Sequence, residues 1–162
     1  MMNTISRVNE TLVIKRFLVE LGNKNLKSLP VSVMKNLKTQ SIYFETDNVE
    51  YVVSPFAVLF KTKGRVGREW YGYDNINPAL LRLIRIAMSD KLYIDSASIE
   101  QDRIVFRYND GTHSSIELIG AGIFQVTKPD MRVLMVRYDE KIDRFVSVSF
   151  IVEPIQVIEE VV

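Results

Sequence analysis

The stretch Arg103-Ile104-Val105-Phe106-Arg107-Tyr108-Asn109-Asp110-Gly111-Thr112-His113-Ser114-Ser115-Ile116-Glu117-Leu118-Ile119 decides the fold class. Two runs rich in β-branched and aromatic residues, Arg103–Tyr108 and His113–Ile119, flank Asn-Asp-Gly. Asp-Gly between such runs is a strong hairpin signal, because a tight hairpin turn needs residues that accept positive φ. The same pattern continues outward. Ile123–Val126, Arg132–Tyr138 and Arg144–Val152 read as strands on the C-terminal side, and Lys91–Ile94 on the N-terminal side. The connections between them are short, with Asp139–Asp143 a longer polar turn. Short connections favour an antiparallel meander, since parallel neighbours need a long crossover. Ile155–Val162 reads as a final edge strand or a loose tail.

A helix precedes this meander. Asn77-Pro78 places a capping residue before a proline at the first helical position, and the helix runs to about Ser89. Leu80, Leu81, Ile84, Ala87 and Met88 form its apolar stripe, while Arg82 and Arg85 share another face. Before it, Phe56–Phe60 and Glu69–Tyr73 read as strands around Thr62-Lys63-Gly64-Arg65-Val66-Gly67.

The N-terminal third opens with a helix over 9–21, where Leu12, Ile14, Phe17, Leu18 and Leu21 recur on one face; Asn9 suits the start and Gly22 the stop. Gly22–Asn25 is a turn. A second, short helix is expected over Pro30–Lys38, with Val31, Met34 and Leu37 every third residue. Ser41–Phe44 and Val49–Val53 then alternate as strands around a Glu45–Asn48 turn. Helix, turn, helix and hairpin is the element order of a winged helix, and Lys24, Lys27, Lys35 and Lys38 lie around its turn and second helix. Ser54-Pro55 is the expected boundary between a basic module, 1–54, and a β-rich domain with one helix, 55–162. The fold class is therefore α+β: a basic helix-turn-helix/hairpin module followed by an antiparallel β meander packed on one helix.

Composition bounds the function. The 162-residue chain carries 47% hydrophobic and 25% charged residues, as ordinary folded proteins do. No cysteine and one histidine, His113, leave no thiolate chemistry and make a zinc site improbable. Nothing at the start resembles a signal peptide and no apolar run approaches a membrane span, so a cytoplasmic protein without membrane contact is expected. The Asn-, Lys- and Ile-rich, cysteine-free composition has the flavour of AT-rich phages and mobile elements. The charge is near neutral at +1, yet it is sorted. Residues 1–68 hold eleven Lys and Arg against five Asp and Glu, a net of +6, and the remainder nets −5. Such a chain has one end that attracts polyanions.

The densest candidate site is Lys61–Tyr73. Lys61, Lys63, Arg65 and Arg68 supply cations for phosphates, Gly64 and Gly67 allow close backbone approach, and Tyr71 and Tyr73 share a strand face from which rings can stack on bases. Trp70 points the other way. The bland alternative is a solvated hairpin tip backed by core aromatics.

Other motifs fail on geometry. Pro129-Asp130 with Asp139-Glu140-Lys141 spells a metal-dependent nuclease signature, but the two acids flank one strand and are held far apart. Gly120-Ala121-Gly122 resembles a dinucleotide fingerprint with no helix after it. His113 and Ser114 point to opposite faces of their strand and form no relay. The expectation is a non-enzymatic nucleic-acid-binding accessory protein with no cofactor, acting in a role such as transcription modulation. It would bind duplex DNA through phosphates with low sequence specificity, as a monomer or a homodimer. The alternative is a protein-binding factor or inhibitor that uses a sheet edge or the acidic C-terminal part.

Overall fold

The computed structural model describes residues 2–31, 41–64, 69–74, 76–89 and 91–148. The order of elements is α1 (Met2–Glu20), β1 (Leu29–Val31), β2 (Ile42–Glu45), β3 (Val49–Val53), β4 (Ala57–Thr62), β5 (Trp70–Asp74), α2 (Ala79–Ala87), β6 (Ile94–Glu100), β7 (Arg103–Tyr108), β8 (His113–Gly120), β9 (Ile123–Thr127), β10 (Val133–Asp139) and β11 (Arg144–Ser147). They form two antiparallel sheets. The first is ordered β1-β5-β4-β3-β2; the second is an uninterrupted six-stranded meander, β11-β10-β9-β8-β7-β6. The protein is α+β, with most of its regular structure in strands.

The deciding hairpin forms as the sequence predicts. Arg107 stands opposite His113, and the Gly111 N–H donates to Tyr108 O at 3.1 Å. Gly111 has φ +87°, so the glycine is required there. The strand expected at Lys91–Ile94 begins instead at Ile94 and runs to Glu100. Its polar Asp-Ser-Ala-Ser sequence hides the alternation, because only Ala97 in it is buried.

One cluster of buried side chains draws on both helices and both sheets. The inward residues Phe44, Tyr51, Val53, Val58 and Tyr73 come from the first sheet, and Ile104, Phe106, Ile116, Phe124 and Val126 from the second. Phe44 meets Phe106 edge-on at 6.1 Å between ring centroids. Ser54-Pro55, read as a boundary, is the turn that joins β3 to β4. The Ser54 hydroxyl accepts from the Ala57 N–H at 3.1 Å, holding the two strands in register.

The second helix of the expected helix-turn-helix does not open at Pro30. Leu29–Val31 is a short strand paired with Trp70–Gly72. The remainder of that expected helix, with Lys35 and Lys38, lies outside the described residues, as do the expected strand residues 149–152 and the segment Ile155–Val162. Pro30 suits an edge strand as well as a helix start, because it lacks the N–H that either place leaves unused.

α1 ends as Gly22 foretells. The Gly22 N–H donates to Val19 O at 3.1 Å and the Asn23 N–H to Leu18 O at 3.0 Å, the paired bonds of a Schellman termination, with Gly22 at φ +97°. α1 then lies across the turns of the meander. Arg16 Nη1 meets Asp102 Oδ1 of the β6–β7 turn at 2.9 Å, Glu20 stands beside Gly122 of the β8–β9 turn, and a methyl on Gly22 would fall 2.5 Å from Glu140 Oε2 in the β10–β11 turn. α2 is held from the same sheet. Its Asn77 oxygen accepts from the Ala79 N–H at 3.0 Å, Arg82 pairs with Asp143 at 2.7 Å, and Lys128 Nζ donates to Ile86 O at 2.6 Å near the negative end of the helix.

Two substitutions test this account. Gly22→Ala should destabilise the fold by about 1–2 kcal/mol, because an L-side chain is strained at that φ. Ala121 already carries that strain, at φ +53° beside Gly122 at +74° in the two-residue β8–β9 turn. Ala121→Asn should therefore stabilise by roughly 0.5–1 kcal/mol, since asparagine tolerates the left-handed region in such turns. Urea midpoints that move in the opposite directions would contradict both assignments.

Candidate nucleic-acid interface

β4 and β5 pair from Ala57↔Asp74 to Phe60↔Tyr71, so Lys61–Trp70 is a hairpin end, as the sequence implies. Lys61 Nζ lies 4.6 Å from the centre of the Trp70 ring. Trp70 packs on Val52, Ala57 and Leu59, an apolar cluster separate from the main core. Alternation puts these residues on the outer face of the first sheet. Lys61 thus caps an apolar patch with its stem and rests its charge on the indole face.

Lys63 is engaged as well. Its N–H donates to Asn48 O at 2.9 Å, and its Nζ pairs with Glu45 Oε2 at 3.1 Å. Gly64 follows at φ +75° with open space where a Cβ would sit. Arg65 and Arg68 lie outside the described residues. Of the two tyrosines, Tyr71 is 39% exposed and stacks on Phe60 at 6.1 Å. Tyr73 is 3% exposed inside the core, where burial pushes its hydroxyl pKa up. Tyr71 can meet a base, whereas Tyr73 is a core residue and cannot.

Lys24 and Lys27 are exposed in the α1–β1 connection. The register Leu29↔Gly72 and Val31↔Trp70 sends residues before Leu29 toward the Asp74 end of β5. The hairpin loop opens from the Trp70 end. The structure therefore places these two lysines and the loop at opposite ends of the first sheet.

A buried carboxylate supports the base of the hairpin. Glu10, on the inward face of α1 and 6% exposed, accepts hydrogen bonds from the Thr46 hydroxyl and, at 3.2 Å, from Asn48 Nδ2. Thr46 Oγ1 also accepts from the Val49 N–H at 3.2 Å, closing the β2–β3 turn. Glu10 thereby ties α1 to that turn, and Asn48 O ties the turn to Lys63. The signal for this arrangement in the sequence is slight: an acid three and four residues before the buried Val13 and Ile14, on the same helical face.

The neighbouring surface is mixed in sign. A groove of about 340 Å³ between the β2–β3 turn and β6 sets Lys63 and Arg107 among Glu45, Asp47, Asp95 and Glu100. The Arg107 guanidinium, 2.7 Å from Glu100, holds that carboxyl below its usual range. The acids of the nuclease-like string remain apart: Asp130 binds Arg132 at 2.8 Å before β10, and Asp139 closes the far end of β10. Among the described residues, no group of three or more His, Cys, Asp or Glu side chains is placed to hold a metal ion. No helix among them is long and apolar enough to cross a membrane. Comparison with protein-family models, with curated proteins and with solved structures finds no match.

Glu10 gives this linkage a measurable signature. Burial raises its carboxyl pKa above the ordinary value, against the lowering effect of its hydrogen bonds to Thr46 and Asn48. A raised folded-state pKa means that folding takes up a proton between the unfolded and folded values. The stability contribution of Glu10 therefore improves as pH falls through its folded pKa toward the unfolded one, about 4.3. The urea stability of the native protein relative to Glu10→Gln should shift in favour of the native protein as pH falls from neutral toward the unfolded value of about 4.3. A difference that does not change with pH would remove Glu10 from this role.

Proposed function

We propose that the chain is a non-enzymatic nucleic-acid-binding accessory protein of the cytoplasm. It grips duplex DNA through phosphates with low sequence specificity, and the β4–β5 hairpin is its contacting element. The observation that carries this reading is the hairpin itself. Residues 63–69, Lys-Gly-Arg-Val-Gly-Arg-Glu, connect two paired strands in the sequence and carry three cations and two glycines within seven positions. Lys61 and the half-exposed Tyr71 stand at its base. Closely spaced cations between two strands suit contact with phosphates, and each phosphate neutralised releases condensed counterions.

Its acidic neighbours limit the affinity. Glu45 holds Lys63, and the Tyr43 hydroxyl donates to Glu50 at 3.0 Å and to Glu45 at 3.3 Å, which keeps both carboxylates beside the loop. Binding is consequently weak and strongly salt-dependent. Lys24, Lys27, Lys35 and Lys38 make up a second set of candidate contacts.

A second reading is a protein-binding factor or inhibitor acting through a sheet edge or the acidic C-terminal part. It draws on Tyr43 of the edge strand β2 and Phe56 of the β3–β4 turn, which are 55% and 76% exposed.

Fluorescence anisotropy with labelled duplexes, titrated against salt, separates the two. Replacing Lys61, Lys63, Arg65 and Arg68 by Ala should lower the log–log salt slope by roughly 2–4 and weaken all duplex sequences alike. Glu45→Gln should strengthen binding by releasing Lys63. Tyr71→Ala should weaken single-stranded binding more than Tyr73→Phe. An unchanged salt slope in the quadruple variant would move the interface to the other lysines. No binding by the native protein at low salt would favour the protein partner.

A further inference from the structure

A groove of about 450 Å³ runs between the outer face of α1 and the end of the β8–β9 hairpin. Its apolar lining includes Leu12, Val19 and Ile119, which are 49%, 37% and 44% exposed. Leu12 and Val19 are two turns apart on the helix, so they form one stripe. Ile119 lies where the β8–β9 register shifts between Leu118 and Gly120. Lys15 and Arg16 rim the groove, Arg16 with its Nη1 on Asp102, and among the described lining residues Glu20 is the one acid, toward the end of α1. Three half-exposed aliphatic side chains around a cationic rim form a seat for an apolar segment with negative charge.

The chain carries such a segment. Residues 149–162, Ser-Phe-Ile-Val-Glu-Pro-Ile-Gln-Val-Ile-Glu-Glu-Val-Val, hold eight large apolar residues, three glutamates and no lysine or arginine. They follow directly from the edge strand β11. The Val148 N–H donates to Met135 O, Met135 stands opposite Gln125, and Gln125 opposite Glu117. That row leads from the last described residue across three strand spacings, about 14 Å, to β8 just before Ile119. Fourteen residues reach up to roughly 45 Å when extended. We propose that residues 149–162 of the same chain dock in the groove between α1 and the β8–β9 hairpin, with aliphatic side chains against Leu12, Val19 and Ile119 and glutamates toward Lys15 and Arg16. Apolar side chains gain free energy by leaving water, which drives a segment with eight of them toward an apolar seat.

The absence of native cysteine makes a direct test clean. A nitroxide attached through Val161→Cys in the full-length chain should reduce the amide signals of Leu12, Val19 and Ile119 to less than half. The signals of Tyr93 and Gly111, near the opposite end of the meander, should remain. Adding Leu12→Asp and Ile119→Asp, both at exposed positions, should restore the Val19 signal. Signal loss that appears only when spin-labelled chain is mixed with isotope-labelled, unmodified chain would assign the groove to a second copy and overturn docking within one chain. Uniform loss, no loss, or loss that survives the two aspartates would overturn the groove as the seat.

Discussion

The fold depends on where α1 lies. Val13, Ile14, Phe17, Leu18 and Leu21 are nearly inaccessible, and Phe17 meets Phe124 of β9 edge-on at 5.2 Å. One helical face thus supplies a continuous share of the core. The polar groups around that face set the positions of the strands. Along the helix, Glu10 bonds the β2–β3 turn of the first sheet and Arg16 pairs with the β6–β7 turn, while Glu20 lies beside the β8–β9 turn and Gly22 against the β10–β11 turn. The contacts differ in weight. The exposed Arg16–Asp102 pair contributes at most about 1 kcal/mol, whereas the buried Glu10 must keep its hydrogen bonds or leave an uncompensated polar group inside. Apolar burial holds the helix down, and Glu10 sets its register against the first sheet.

That register reaches the candidate interface. Glu10 binds the β2–β3 turn, Asn48 of that turn binds the Lys63 N–H, and Lys63 begins the basic loop. The outer face of the first sheet continues the pattern. Opposite residues Glu45, Glu50 and Lys61 form a charged row across β2, β3 and β4, and Tyr43, Val52 and Leu59 form an apolar row beside it. Lys63, where the connection leaves β4, is therefore tied to a built platform. The base of the hairpin cannot shift without breaking a buried hydrogen-bond set.

The meander was legible because its signals are local. A hairpin needs only adjacent alternating runs and a turn that accepts positive φ, and Asn109-Asp110-Gly111 provides the turn. Gly22 and Asn77-Pro78 marked helix ends for the same reason. Pairing between distant residues leaves no such mark. Leu29–Val31 pairs with Trp70–Gly72, some forty positions away, and Pro30 alone reads equally well as a helix opening. β6 was misplaced because its side chains are mostly polar, so alternation failed to report it. At the candidate site, the basic hairpin could be read from charge and glycine. The burial of Tyr73 and the roles of Glu10, Thr46 and Glu45 depend on which strands become neighbours.

Pairing of a lysine with a carboxylate does not exclude a phosphate partner; the comparison of energies decides. Lys63 and Glu45 have side chains 30% and 51% exposed, and ion pairs of this kind contribute about 0.2–1 kcal/mol. Exchanging Glu45 for a phosphate therefore costs little directly. The larger cost is that Glu45 and Glu50 stay beside the incoming polyanion, and like charges within a Debye length of about 8 Å repel. Lys61 loses less, because the indole face of Trp70 attracts its ammonium without neutralising it. Among the described residues, Lys61 and Lys63 are thus cations partly screened by their own sheet. If the proposed interface binds polyanions, such a surface would discriminate by total negative charge density and release at modest ionic strength. That behaviour suits a protein whose whole charge is only +1.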